Sequence, residues 1–265
     1  MWVNRSQALM LPDGRRAVTV NGDCRIGHKR RCPRVDIEAA VCIGDGAEIE
    51  AGFIGMGTFI GRGTSILRTE SVGRFVTIGE YCSIGAELAE TGKRISTSYF
   101  VKGRALPWYE KFMVPVQVYR STAKKKLRIG SDVYIGAHSV VAEGISIGDG
   151  AILLPGTAAD KDIPSYSVVY GNPAKIWEYR FSREETERLK KIRWWDYGER
   201  LLGKADFARA NFDKVLEILE KEKDQIMPIL PMETGMKIRY KDGYCCIYSK
   251  LMDQKTLLYQ FPENG

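Results

Sequence analysis

Ile54, Ile60, Ile66, Val72, Ile78 and Ile84 stand six residues apart. Ile37, Ile43 and Ile49 form an earlier run on the same period, and Ile129, Ile135, Val141, Ile147 and Leu153 a later one. Glycine follows many of these positions, giving Ile-Gly pairs that start at 26, 43, 54, 60, 78, 84, 129, 135 and 147. A period of six belongs neither to a helix nor to a plain alternating strand. It describes a chain that turns a corner every six residues, with one branched apolar side chain inward per flat side and a small residue or glycine where the backbone bends. Three such sides make an 18-residue coil, and stacked coils bury their faces only against one another. The expected fold class is therefore an all-β solenoid, whose end coils expose strand edges that need caps or partners.

The ladder breaks between Gly85 and Arg128. The inserted loop, about 86–127, carries Tyr99, Phe100, Trp108, Tyr109 and Phe112 with Pro107 and Pro115. Long loops on rigid scaffolds carry function, so acceptor chemistry is expected here. The solenoid with its loop is expected to fill 1–180. Ser182 and Glu185 make a capping box that opens a helix through about Lys191. A second amphipathic helix is predicted from roughly Ala205 to Asp224, with Val215, Leu216, Ile218 and Leu219 on its apolar side, completing a helical segment at 181–227. Residues 228–265 read as a small C-terminal β appendage: a hairpin around Asp242-Gly243 followed by a strand in KTLLYQF. The pattern gives that appendage no readable role.

Composition narrows the class. With 265 residues, 44% hydrophobic and 28% charged, the chain supports one core, and wholesale disorder or collagen is excluded despite 27 glycines. No uncharged apolar run approaches the roughly 18 residues of a membrane span, and MWVNRSQALMLPDG contains no continuous apolar stretch of signal length, so a cytoplasmic protein is expected. The net charge of +7 is spread out. Its basic runs, His28 to Arg31 and Lys124 to Lys126, are short enough to be solvated loops, which argues against nucleic acid and leaves a diffuse field that attracts a phosphorylated small molecule. The six cysteines are expected as reduced thiols. Cys24, His28 and Cys32 match no familiar zinc spacing, so packed or surface thiols are preferred there and no metal is expected.

Four strings carry a family resemblance: IGEYCSIG at 78–85, IGSDVYIGAHSVVAEGISIGDGAIL at 129–153, KDIPSYSVVYGNPAK at 161–175 and RFSREETERLKKIRWWDY at 180–197. Over about 72–220 the sequence resembles the hexapeptide-repeat acyltransferases, in the branch of chloramphenicol and streptogramin acetyltransferases and polysaccharide O-acetyltransferases. The resemblance implies a left-handed parallel β-helix, a homotrimer with active sites between neighbouring prisms, and acetyl-CoA as donor. It implies a hydroxyl acceptor deprotonated by a histidine on the inserted loop, without a metal. The family's donor site carries over onto Ala137, Pro155 and Gly156, where small residues let the backbone approach the pantetheine arm, and onto Lys161 and Lys175, where cations meet phosphates. Pro155 lacks an N–H, so one usual contact is missing.

The loop departs from the family where the histidine belongs. Lys93 stands in its place, with Arg94, Ser96 and Thr97 at the expected acceptor-binding positions, and the whole chain has only His28 and His138. A general base works best with a pKa near the working pH, and for Lys93 that requires a lowering of roughly 3 pH units, or about 4 kcal/mol of burial and neighbouring positive charge. Lys93 is thus a base, an anion or acceptor contact, or a non-functional replacement. His138, beside the donor strip, is either the substitute base or a packing residue at a coil corner. Glu87 and Glu90 are alternative carboxylate bases. The expected function is an acetyl-CoA-dependent O-acetyltransferase working by direct attack of an acceptor hydroxyl on the thioester; the alternative is a catalytically degenerate trimer that binds or scaffolds. N-acylation of an amino-sugar stays open, because the fold does not separate it from O-transfer.

Overall fold

The computed structural model describes residues 2–3, 7–10, 16–27, 32, 34–87, 125–204, 211–229, 234–241, 244–251 and 254–262. Its parallel strands stack in three columns. In one, Val20, Ile43, Ile60, Ile78, Ile135, Leu153 and Val169 lie in register on successive coils. In the second, Ile26, Ile49, Ile66, Ile84, Val141 and Ala159 do the same. The third runs through Ile37, Ile54, Val72, Ile129, Ile147 and Ile163. These side chains are buried and form one core, so the six-residue period is the period of the sides.

The inserted segment leaves this stacking undisturbed. The strand Ser83–Ala86 pairs with Val140–Ala142, and Leu127–Ile129 takes up the next side by pairing with the Ser65–Val72 strand. The ladder therefore resumes in register after the excursion.

Antiparallel caps close the first strand of every column. Gln7–Met10 covers Arg16–Val20, and Trp2–Val3 covers Cys24–Ile26. Arg34–Glu38 is covered by Thr234–Lys241, which continues into Tyr244–Leu251 and Gln254–Pro262. The C-terminal strands that had no readable role thus seal a sheet edge opened some 200 residues earlier in the chain. Met236 and Ile238 enter the core there, and the Arg239 guanidinium bonds Asp36 and the Val35 carbonyl. At the other end, Lys175–Tyr179 pairs antiparallel with Ser167–Tyr170.

Helix α1 (Arg183–Ile192) begins with the expected capping box: the Glu185 N–H donates to Ser182 Oγ, and the Ser182 N–H donates to Glu185 Oε2 at 2.7 Å. A short 3-10 turn at Trp194–Asp196 leads to α2 (Glu199–Leu202) and α3 (Phe212–Lys223). The second amphipathic helix was predicted from about Ala205. Residues 205–210 lie outside the described set, and α3 has its N-cap at Asn211, whose side chain accepts the Asp213 N–H. Val215, Leu216 and Leu219 of α3 are buried against Leu189 and Ile192 of α1, and Arg188 grips Glu220 through two bonds of 2.8 and 2.9 Å. A buried ion pair within the coils also reaches the helical segment. Arg74 binds Glu38 through two 2.7 Å bonds, and its Nη1 lies 3.8 Å from Asp196. No described helix is long and apolar enough to cross a membrane.

Candidate functional site

Three residues after five of the inward positions of the first column, the chain turns through a left-handed bend. Gly46, Gly63, Tyr81, His138 and Gly156 fill successive bends, with φ between 54° and 75°. Each bend is pinned to the coil before it: the Tyr81 N–H donates to Arg62 O at 2.8 Å, that of His138 to Glu80 O at 2.9 Å, and that of Gly156 to Ala137 O at 2.9 Å. The glycine at 63 is required sterically, because a Cβ there would come within 2.5 Å of the Tyr81 ring.

His138 therefore sits on top of a stack. Its imidazole lies nearly parallel to the Tyr81 ring, with centroids 5.6 Å apart and planes 12° apart. On the following coil, around Gly156, a Cβ would meet nothing within 4 Å. The exposed imidazole thus faces an open ledge whose floor is main chain. That floor is rigid: Ser139 Oγ, fully buried, donates to Gly136 O at 2.7 Å, and the Cys82 thiol donates to the same carbonyl at 3.2 Å. Burial pushes the Cys82 thiol above its ordinary pKa, so it is a packed donor rather than a nucleophile.

Ala137, His138, Pro155 and Gly156 are brought together at this one corner, on adjacent coils. Lys175 directly follows the Gly171–Ala174 turn, which clips onto the coil of Gly156: Ala158 N–H donates to Gly171 O, and Ala174 N–H donates to Ala158 O. Lys161 is exposed at the far end of the Ala158–Ala159 side. Beside Lys175 stands an aromatic wall that the sequence pattern did not single out. Trp177 is 64% exposed and packs on Tyr170 at 5.1 Å between centroids. Tyr81 carries a signal in the sequence: it holds the same offset from Ile78 that His138 holds from Ile135.

The remaining candidates separate. Glu87 lies on the corner that follows the second column, near Arg68 at 3.8 Å, and Arg68 also pairs with Glu143 at 2.7 Å. Lys93, Arg94, Ser96, Thr97 and Glu90 lie outside the described residues, as does His28. Cys24 and Cys32 are buried free thiols, and Cys24 donates to Gly44 O at 2.9 Å. Chemically, the corner offers an exposed proton acceptor, a main-chain ledge and nearby cations, an arrangement suited to an extended anionic ligand.

No protein-family model matches the chain. It is 45% identical over 69 residues to a chloramphenicol acetyltransferase of Escherichia coli, covering 26% of this chain and 33% of that protein. It is 42% identical over 69 residues to a probable macrolide acetyltransferase of Lysinibacillus sphaericus, covering 26% of this chain and 38% of that protein. The matched segment is thus similar to proteins named acetyltransferases, in keeping with the resemblance to the hexapeptide-repeat acyltransferases. The chain spans about a third of the length of these hexapeptide-repeat relatives. Among solved structures, the N-acyltransferase AntD of Bacillus cereus, in complex with dTDP and coenzyme A, aligns with 66% of this chain and 88% of its own at 19% identity and a TM-score of 0.48.

Proposed function

We propose that this chain is a cytoplasmic acyltransferase that moves an acetyl group from acetyl-CoA to a hydroxyl of a sugar, polysaccharide or antibiotic-like small molecule, as a homotrimer of left-handed parallel β-helices. The observation that supports this reading best is the corner where His138 faces the open ledge of Ala137, Pro155 and Gly156 beside Lys175. Main-chain groups of the ledge receive the amide-bearing arm of the donor, and Lys161 and Lys175 meet its phosphates. A base, His138 or Lys93, takes the acceptor's hydroxyl proton as the oxygen attacks the thioester carbonyl. The tetrahedral oxyanion collapses and expels the thiolate, which regains a proton. Alignment of two substrates and stabilisation of that oxyanion supply most of the rate, so no acyl-enzyme is needed.

The chain also supports a second reading as a degenerate binding protein, because Lys93 stands at the loop position of the family's histidine. A thiol-release assay separates the two. Acetyl-CoA is offered with a panel of sugars, chloramphenicol and a streptogramin to the wild type, His138→Ala and Lys93→Ala. Acceptor-dependent release, lost by about 100-fold in one variant, identifies a transferase and its base. Coenzyme A binding without release across the panel favours the degenerate protein.

A further inference from the structure

A second concave site lies at a different edge of the prism. The bends of the third column run through Gly57, Phe75, Asp132, Gly150 and Tyr166. Here α1, α2 and α3 fold over the corner and enclose a cavity of about 410 Å³, within the range of small-molecule sites. Leu189, Trp194 and Leu216 supply apolar wall, and Trp194 is only half-buried, so the site is not sealed.

Its polar lining is sparse and specific. Tyr166 is 1% exposed, and among the described residues its hydroxyl has no hydrogen-bond partner. Arg180 is already engaged: its Nη1 donates to Gly150 O at 2.7 Å and to Asp132 Oδ2 at 3.3 Å, while its guanidinium lies over the Tyr166 and Phe181 rings. Asp132 and Arg180 offset each other in charge, which favours a neutral guest, and among the described residues the Tyr166 O–H is a buried lining donor left without an acceptor. A buried hydroxyl without an acceptor is costly.

We infer that this cavity is a binding site for a neutral, mostly apolar small molecule bearing one carbonyl or hydroxyl oxygen, which accepts the Tyr166 hydrogen bond while its body lies among Leu189, Trp194 and Leu216. The inference does not depend on the transferase reading, since His138 and the open ledge belong to another column of bends.

The test uses Prodan, a neutral naphthalene ketone whose fluorescence shifts to the blue in apolar surroundings, titrated into the full chain. Saturable, blue-shifted binding is expected in the wild type. Leu202→Trp, a change at the half-buried wall, fills the cavity and is expected to weaken binding more than 10-fold. Tyr166→Phe removes only the unpartnered hydroxyl and keeps the fold, and it is expected to weaken binding by about 10-fold, the size of one buried hydrogen bond. Absence of saturable binding in the wild type overturns the inference. So does unchanged affinity in a folded Leu202→Trp variant, or unchanged affinity in Tyr166→Phe.

Discussion

The two corner columns are built on one backbone plan and end in opposite environments. Tyr81 and Tyr166 both occupy left-handed bends, at φ 54° and 57°, and each lays its ring over the glycine of the coil below. Tyr81 is 50% exposed and supports an exposed imidazole; Tyr166 is 1% exposed beneath three helices, and burial raises its phenol pKa. The repeat sets where a ring stands, but the covering layer decides whether that position is a solvent-facing ledge or an enclosed pocket. At Tyr166 desolvation by that layer is the largest cause of the rise, with the nearby Asp132 and Asp149 adding to it.

The largest expected effect tests the buried ion pair beneath the covering layer. Arg74→Ala leaves the Glu38 carboxylate buried without its cation, and should cost about 3–5 kcal/mol in chemical denaturation. A loss below about 1 kcal/mol would show that the fold does not rely on this ion pair. Next, on the open corner, His138→Ala should lower kcat by about 100-fold in the thiol-release assay if its imidazole is the base, with thermal stability almost unchanged.

A matched pair sharpens the contrast directly. Gly150→Ala on the covered corner combines a positive φ with a Cβ placed 2.4 Å from the Tyr166 ring, and should cost about 2–4 kcal/mol. Gly156→Ala on the open corner meets no neighbour within 4 Å, and should cost about 1 kcal/mol, from backbone strain alone. Equal losses in urea denaturation would erase the distinction between the corners.

The smallest effect concerns pH. Burial, opposed by Arg180, raises the Asp132 carboxyl above the ordinary aspartate value of 3.8. With the folded value above the unfolded one, the fold prefers the protonated acid, so this group's stabilising contribution is full below pH 3.8 and is lost as pH rises through the raised value. The stability of wild type relative to Asp132→Asn should therefore fall across that rise. A difference that grows with pH would place the ion pair with Arg180 above desolvation as the stronger influence.

Much of the scaffold was legible because its signals are local and repetitive. Inward residues six apart and glycines at the bends declare stacked coils, and Ser182 with Glu185 declares the start of α1. The same arithmetic places Ala137, His138, Pro155 and Gly156 on neighbouring coils. It also lines up Tyr81 with His138 for a reader who counts offsets, since in-register stacking is a one-dimensional rule. The start of α3 was less legible, because whether helical pattern extends before Asn211 depends on where a side chain caps the backbone, and pattern alone is silent on that.

The sequence by itself determined the coil period, the core residues and the corner that gathers the candidate donor site. Tertiary structure alone decided that Thr234–Lys241 returns to seal Arg34–Glu38, that Arg74 reaches Glu38 and Asp196, and that α1 and α3 enclose Tyr166 with Asp132 and Arg180. The physical reason is range. Hexapeptide stacking is specified by nearest-neighbour coils, whereas edge capping, buried ion pairs and pocket enclosure depend on surfaces that meet only after the whole chain has folded.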